Sequence, residues 1–290
     1  MMDIVFVILN FNLFNETVNC ITSICNNLDT LSFHIIVVDN ASKNGVGEKL
    51  KQFYKDNTFV TVLQNLTNEG FARGNNLGIT KARTLLPKFI CCLNNDTILE
   101  QKDFFVTLNQ YYEKDHPAII GPKIVLKDGR TQHVNKVLQS IKYYKNQMEG
   151  LENKETSFRT IKEKLLQNRI IYELNFLRKK YRNEKHSEFT DVILHGCCLI
   201  FTPVFFDKLD GFDNRTFLYA EEQLLYVSLM KNELHNKYCP YIRIRHLEDM
   251  STKSISKSSK ERIAFINKNT VLSLRILIDE LEKNKEILYR

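Results

Sequence analysis

Phe33–Asn40 reads FHIIVVDN, an apolar run of strand length that ends in a carboxylate and an amide. Three further runs of this kind, Ile4–Leu9, Val60–Gln64 and Phe89–Leu93, precede residue 100. Runs of β-branched and aromatic residues at this length indicate strands. The sequence therefore predicts four strands in its first third.

Helical patterns separate these runs at Glu16–Asn27, Glu48–Lys55 and Phe71–Leu85, with Asn15 as the predicted N-cap of the first helix. Alternation of strands and helices predicts an α/β fold with a mostly parallel sheet and helices on both faces. Ligands of such sheets bind at the carboxyl ends of the strands. The polar residues that directly follow each strand are therefore candidate site residues.

The rest of the chain has a mixture of patterns. They predict a hairpin of Ile119–Leu126 and Thr131–Val134, a strand at Val192–Phe201, and helices at Tyr219–Met230 and Lys260–Lys283. No internal repeat or low-complexity linker interrupts them. We therefore expect one domain, 1–290, with a helical insertion at 136–190 and a helical C-terminal tail at 253–290.

The positive charge is concentrated in two segments. The chain has 41 basic and 34 acidic residues, a net charge of +7. Residues 1–135 are balanced at 13 of each, whereas residues 136–190 have 13 basic and seven acidic residues and residues 251–290 have nine and five. A neutral first half argues against a nucleic-acid partner.

Composition and cysteine content also indicate the class of protein and its cellular compartment. An apolar content of 43% excludes a disordered or fibrous chain, and the longest apolar runs are far too short to span a membrane. The N-terminus, Met1-Met2-Asp3, has no basic leader. Seven cysteines, an odd number without paired spacing, fit buried free thiols better than disulfides or zinc. These features predict a cytoplasmic protein.

Two polar segments are candidates for nucleotide binding. Asp39 directly follows a strand, where it can accept hydrogen bonds from a nucleobase or ribose, although aspartate there is also common in turns. Asn68–Gly78 places Gly70 near a helix start, where the backbone can approach a ligand closely, and Arg73 can pair with a phosphate. A glycine-rich loop without a ligand remains the alternative for this segment.

Acidic residues indicate a cation site and a general base. Asn94-Asn95-Asp96 ends a strand, and its oxygens suit Mg²⁺ or Mn²⁺ on a diphosphate, although Asp96 can also be a turn or cap residue. Glu221 and Glu222 lie near a helix start, where one of them can act as general base. A solvated helix face is the alternative. His246, which follows a strand, can be a further metal ligand or a structural residue.

The order of these motifs resembles the family-2 glycosyltransferases, and most closely their rhamnosyltransferase-like and capsular-polysaccharide branch. The resemblance spans about Ile4 to Thr252 and rests on five motifs: Asn10-Phe11-Asn12, Val38–Ser42, Asn68–Ala72, Leu93–Asp96 and Phe217–Glu222. It implies the GT-A fold, which is Rossmann-like, and a nucleotide-sugar donor. It also implies a divalent cation and inversion at the anomeric carbon.

Roles for individual residues follow from the resemblance. Glu222 and Glu221 take the place of the pair that contains the catalytic base, and Asp96 and His246 take the place of metal ligands. The implied donor-binding residues are Asn10, Asn12, Asp39, Asn68, Gly70, Arg73, Asn76, Asn94 and Asn95. The chain departs from the family pattern where Asn94 and Glu222 replace aspartates and where Leu224-Leu225 lacks an acid.

We therefore expect an enzyme that transfers a sugar from a nucleotide-diphosphate-sugar to a glycan or polyprenyl-linked acceptor in surface polysaccharide synthesis. One alternative is a degenerate family member that binds a nucleotide-sugar without transfer. Another is a nucleotidyltransferase, but Asn10–Asn15 has neither the glycine nor the lysine of a triphosphate loop.

The basic segments suggest further partners. Residues 136–190, with the basic run Arg178–Arg182, and the tail can contact an anionic membrane surface. A helical hairpin that packs on the core or on a second subunit of a homodimer explains the same pattern and is favoured.

Overall fold

The structure is a computed structural model that describes residues 2–28, 32–132, 134, 137–152, 187–247 and 258–289. In these residues one sheet has nine strands. They are β1 (Met2–Asn10), β2 (Phe33–Asp39), β3 (Val60–Gln64), β4 (Pro87–Asn94), β5 (Thr97–Leu99), β6 (Ile119–Leu126), β7 (Phe189–Thr190), β8 (Cys198–Phe201) and β9 (Asn236–His246).

The strand order is β3-β2-β1-β4-β8-β6-β9-β5, and β7 pairs with β9. β1 is parallel to β2 and β4, β2 is parallel to β3, and β6 is parallel to β9. β8 is antiparallel to both of its neighbours, and β5 and β7 are antiparallel to β9. Because Asn10 pairs with Asp39 and Leu9 with Asn94, the polar ends of three strands meet at one edge of the sheet.

Helices cover both faces of this sheet. They are α1 (Phe14–Cys25), α2 (Val46–Phe53), α3 (Gly70–Arg83), α4 (Phe104–Asp115), α5 (Ile141–Glu152), α6 (Pro203–Phe206), α7 (Glu221–Lys231) and α8 (Ser259–Lys283), followed by a 3-10 turn at Lys285–Tyr289. Successive side chains of a strand point to opposite faces. Accordingly, Val5 and Val7 of β1 belong to a core that includes α3 residues, and Ile4, Phe6 and Ile8 belong to a second core with α1. The mixed α/β, mostly parallel architecture is confirmed.

Two predicted helix starts are wrong. The N-cap of α1 is Leu13 and not Asn15, because Leu13 has an extended backbone, with φ −118° and ψ 96°, and the helix already begins at Phe14. α7 begins at Glu221 and not at residue 219, because Tyr219 and Ala220 have φ angles of 73° and 62°. Both angles lie in the left-handed region, which a right-handed helix cannot include.

The strand predicted at Val192–Phe201 is shorter than expected and begins only at Cys198. Val192 N–H donates to the side-chain oxygen of Asn236 at 3.1 Å and not to the backbone of a neighbouring strand, and residues 195–197 form a turn. The predicted hairpin after β6 is reduced to a tight turn, in which Leu126 N–H donates to Arg130 O at 2.7 Å and Val125 bridges Thr131.

The two basic segments are described only in part. α5 is a helix within the insertion, and α8 confirms a helix in the tail. Residues 153–186, which include Arg178–Arg182, and residues 248–257 lie outside the described residues. Within the described residues no helix combines the length and the apolar character that a membrane span requires. The single-domain organisation stays a prediction.

All seven cysteines are free thiols. Six of them are buried, and burial raises the pKa of the Cys20 thiol to about 12. A thiol of this kind is a poor nucleophile, because the thiolate is the reactive form. The cysteines therefore contribute to packing.

Candidate functional site

A buried polar cluster joins the ends of β1, β2 and β4. Asn10, which is fully buried, donates from Nδ2 to Asp39 Oδ1 at 2.6 Å. Its Oδ1 accepts hydrogen bonds from Asn95 Nδ2 at 3.0 Å and from Thr17 Oγ1 at 3.0 Å. A buried amide must be hydrogen-bonded to avoid a desolvation penalty. The side chain of Asn10 therefore fixes Asp39 and Asn95 relative to each other.

The Asp39 carboxylate is also held by the loop that follows β2. Ser42 N–H donates to Asp39 Oδ2 at 3.1 Å, and Asn12 N–H donates to Ser42 Oγ at 2.7 Å. A Cβ atom on Gly47, in the first turn of α2, would lie 2.3 Å from Asp39 Oδ2. Asp39 and Asn12, both predicted to contact the nucleoside, are thus brought to the same loop.

Asn40 organises the neighbouring loop, and no role was predicted for it. Its Nδ2 donates to Asn68 Oδ1 at 2.9 Å and to Gly70 O at 3.0 Å, and its Oδ1 accepts from Asn65 Nδ2 at 2.9 Å. The position of Asn40 directly after a strand is the signal that could have identified it. Asn40 therefore connects the end of β2 to the start of α3.

The start of α3 packs on the segment that precedes the acidic pair. Gly70 has a φ of 80°, and a Cβ atom there would lie 2.2 Å from Phe217 O. The next residue, Phe71, donates its N–H to the same oxygen at 2.8 Å. Only glycine can combine this conformation with so close an approach of two backbones.

The side chains of Arg73 and Asn76 form hydrogen bonds to the loop before the acidic pair rather than to the polar cluster. Arg73 Nε donates to Asn214 O at 2.9 Å, and its guanidinium lies 3.4 Å from Glu69. Asn76 accepts from Phe212 N–H and donates to Phe212 O, each at 2.8 Å. The structure thus places both side chains against the loop before the acidic pair. Their predicted role in the donor pocket stays a prediction.

Asp96 and His246 face each other across two paired strands. Thr97 of β5 pairs with His246 of β9, and His246 Nε2 lies 3.3 Å from Asp96 Oδ1. Asp96 is only 3% exposed, and Oδ1 has no hydrogen-bond partner in the described part of the chain. His246 lies close to this oxygen but makes no hydrogen bond to it, and a divalent cation would stabilise a carboxylate in such a buried position.

These two side chains fit a divalent cation as a two-ligand site. No group of three histidine, cysteine or acidic side chains within metal-binding reach occurs in the described residues. Mg²⁺ is commonly held by one or two carboxylates, with substrate phosphates and water completing the shell. A carboxylate and an imidazole, with a nucleoside diphosphate as the third partner, are consistent with this pattern.

A cavity of about 480 Å³ is lined by both members of the acidic pair. Asp96 and His246 are not among its described lining residues, but the ring of one lining residue, His195, lies 5.8 Å from that of His246. The walls of the cavity come from the turn before β8, the start of α7, and helices α3, α5 and α8. The lining residues are Phe71, Asn94, Tyr144, Gln147, His195, Gly196, Cys197, Leu218, Tyr219, Ala220, Glu221, Glu222, Gln223, Thr270, Leu274 and Leu277. The structure therefore brings Asn94, Glu221 and Glu222 to one cavity.

The two glutamates have different surroundings. Glu222 is half-buried, and its Oε1 accepts a hydrogen bond from Gly196 N–H. Glu221 is only 7% exposed, and its Oε1 has no partner among the described residues. Burial, with a smaller contribution from the charge of Glu222, raises the pKa of Glu221 to about 7. Glu221 is thus partly protonated at neutral pH.

The raised pKa of Glu221 predicts a pH-dependent stability. An unfolded glutamate ionises near pH 4.5, whereas the folded protein resists this ionisation until about pH 7. The folded state therefore loses stability as the pH rises between these values, by on the order of 3 kcal/mol. We expect Glu221→Gln to remove this loss. The free energy of unfolding of the variant, measured with urea, should therefore rise relative to that of the wild type between pH 5 and 8.

The exposed Glu286 supplies the control, since Glu286→Gln should follow the wild type at every pH. Parallel pH curves for the wild type and Glu221→Gln would contradict the raised pKa.

Comparison with solved structures supports the same architecture. A structure of GalNAc-T7 with UDP, GalNAc and Mn²⁺ superposes with a TM-score of 0.59 at 15% identity, and covers 92% of this chain and 48% of that one. A structure of S. aureus TarS 1–349 in complex with UDP-GlcNAc superposes with a TM-score of 0.58 at 14% identity, and covers 97% of this chain and 66% of that one. At these identities the likeness concerns the fold, and it confirms the expected GT-A fold.

The chain is thus shorter than both neighbours, spanning about half of one and two thirds of the other. No curated protein sequence matches it. Its sequence does match the family described as Glycosyl transferase family 2, over residues 5–185. The matched region includes the polar cluster and Asp96 but ends before the acidic pair and His246. Because the match covers more than half of the sequence, the chain belongs to glycosyl transferase family 2.

Proposed function

We propose that this protein is an inverting, metal-dependent glycosyltransferase that moves a sugar from a nucleotide-diphosphate-sugar to a hydroxyl of a glycan or lipid-linked acceptor. The observation that carries the proposal is the shared cavity: Asn94, from the strand end that leads to Asp96, lines the same cavity as Glu221 and Glu222. This shared cavity supports a diphosphate site at the end of β4 with a general base close to it.

The donor side of the proposal rests on the polar cluster. The buried Asp39 and the half-buried Asn12 lie at the carboxyl ends of β2 and β1, the edge at which ligands of such sheets bind. Asn10, Asn95 and Asn40 are buried and act by holding these groups in place. The two structural neighbours are complexes with UDP and with UDP-GlcNAc, which supports a nucleotide-sugar as donor.

In the proposed mechanism, Glu222 is the general base. Gly196 holds its Oε1, which leaves Oε2 to take the proton of the acceptor hydroxyl. The hydroxyl oxygen forms a bond to the anomeric carbon while the bond to the diphosphate breaks on the opposite side, and this inverts the configuration. Asp96 and His246 would hold Mg²⁺ or Mn²⁺, and the bound cation would supply positive charge to stabilise the diphosphate leaving group.

The proposal also includes a family branch, a biological role and a cellular location. They are the rhamnosyltransferase-like or capsular branch, a role in surface polysaccharide synthesis, and a cytoplasmic location. Packing of residues 136–190 and of the tail on the core or on a second subunit of a homodimer stays the favoured explanation of their positive charge, and peripheral contact with an anionic membrane is the alternative.

A ligand screen tests the proposal. We expect one nucleoside diphosphate and its sugar conjugate to raise the Tm by several degrees, and only with Mn²⁺ or Mg²⁺ present, because a ligand at 100 times its Kd stabilises by about 2.7 kcal/mol. The same conjugate should then be consumed in the presence of a glycan or lipid-linked acceptor.

Other results identify the alternatives. Binding of the conjugate without turnover, under any acceptor, would identify a degenerate nucleotide-sugar-binding protein. Binding of a nucleoside triphosphate with release of pyrophosphate would identify a nucleotidyltransferase.

A further inference from the structure

The turn His195-Gly196-Cys197, which immediately precedes β8, connects the proposed base to the proposed metal site. Gly196 N–H donates to Glu222 Oε1 on one side. On the other side, Cys197 O accepts from Asn94 N–H at 2.9 Å, at the end of β4. These three residues lie beyond residue 185, where the family match ends, and the sequence analysis assigned them no role.

Gly196 approaches the base closely. A Cβ atom on Gly196 would lie 3.1 Å from Glu222 Oε1 and 3.4 Å from its Cγ. The carboxylate therefore rests directly on the backbone of the turn. A hydrogen bond to a carboxylate is among the stronger hydrogen bonds, and it fixes one oxygen in direction as well as distance. The conformation of the turn thus decides where Oε2 of Glu222 points.

His195 holds the turn in this conformation. Its Nδ1 accepts a hydrogen bond from Cys197 N–H at 3.1 Å, so that the side chain closes a loop over Gly196. A neutral imidazole that accepts at Nδ1 carries its proton on Nε2. With this tautomer His195 is unsuited to bind a metal ion through Nε2, even though its ring lies 5.8 Å from that of His246.

We propose that His195 is a positioning residue for Glu222. Its Nδ1 accepts the Cys197 N–H and so fixes the conformation of the turn. The turn then presents the Gly196 N–H to Glu222, which holds the carboxylate of the base in one orientation. The proposal rests on the proposed function for the role of Glu222 as base. The contacts themselves do not depend on it.

Two substitutions at His195 separate positioning from other roles. Asparagine can place an acceptor oxygen near the position of Nδ1, whereas leucine cannot accept. With the donor identified by the ligand screen, we expect His195→Leu to lower kcat about 10- to 100-fold, because a misplacement of about 1 Å can cost about 100-fold. The Tm shift produced by the nucleoside diphosphate should not change, and His195→Asn should restore most of kcat.

The control is His235→Leu, because His235 pairs with Asp191 at the start of β9 and lines no part of this cavity. It should keep wild-type kcat. Equal kcat in His195→Leu and the wild type, or no rescue by asparagine, would overturn the proposal. Loss of nucleotide binding in His195→Leu would also overturn it, because it would place His195 in the donor site.

Crystal structures of the wild type and the two variants test the contacts without any activity. We expect the Gly196 N–H to Glu222 bond in the wild type and in His195→Asn, and its loss in His195→Leu. An unchanged bond in His195→Leu would overturn the positioning role. If the wild type turned over no nucleotide-sugar, the proposed function would fail, and these structures would still decide whether His195 orients Glu222.

Discussion

Glu222→Gln is expected to lower transfer from the nucleotide-sugar about 1000-fold while the donor still binds. Glutamine has nearly the same shape as glutamate and keeps an oxygen that can accept the Gly196 N–H, so the cavity should be preserved. It cannot take a proton from the acceptor hydroxyl, however, and a positioned general base typically contributes about 100- to 10,000-fold. The loss should therefore appear in kcat and not in the Tm shift produced by the nucleoside diphosphate.

The same experiment decides which glutamate is the base. Glu221→Gln should reduce turnover far less than Glu222→Gln, because Glu221 is only 7% exposed and is less able to reach an acceptor hydroxyl than the half-buried Glu222. Glu286→Gln, an exposed change far along the chain, should leave turnover unchanged. Full activity in Glu222→Gln would remove Glu222 from the role of base. A loss confined to Glu221→Gln would transfer that role to its neighbour.

β1, β2 and β4 were predictable because most of their residues are buried on both faces. Such strands appear in the sequence as uninterrupted apolar runs, and β1 to β4 were found within a few residues of their bounds. The start of α7 was missed for the opposite reason. Tyr219 and Ala220 adopt left-handed angles that no local residue preference announces, since neither is glycine or asparagine. Their conformation is imposed by the surrounding fold.

The candidate site was predictable where it depends on chain position and not where it depends on distant partners. Asp39 and Asn94 follow strands, so the alternation of elements was enough to place them at one edge. Arg73 contacts a carbonyl 141 residues away, and His195 acts through hydrogen bonds within a turn that was predicted as strand. Neither contact leaves a spacing pattern in the sequence.

Gly70→Ala is expected to lower the free energy of unfolding by about 2 to 5 kcal/mol. The left-handed conformation of Gly70 costs a side chain about 1 to 2 kcal/mol, and an added methyl group in a tightly packed position costs about 1 to 3 kcal/mol more. The second cost applies because the Cβ atom would lie 2.2 Å from Phe217 O, a backbone atom that cannot rotate away.

Gly129→Ala is the matched control for this prediction. Gly129 has nearly the same φ, 82° against 80° for Gly70, but a Cβ atom there meets nothing within 4 Å. The decrease in the free energy of unfolding of Gly129→Ala, measured with urea, should therefore be the conformational cost alone, about 1 to 2 kcal/mol. Equal losses in the two variants would show that α3 does not rest on Phe217. A larger loss at Gly70, with reduced turnover in the fraction that remains folded, would show that the same contact positions the segment leading to Glu222.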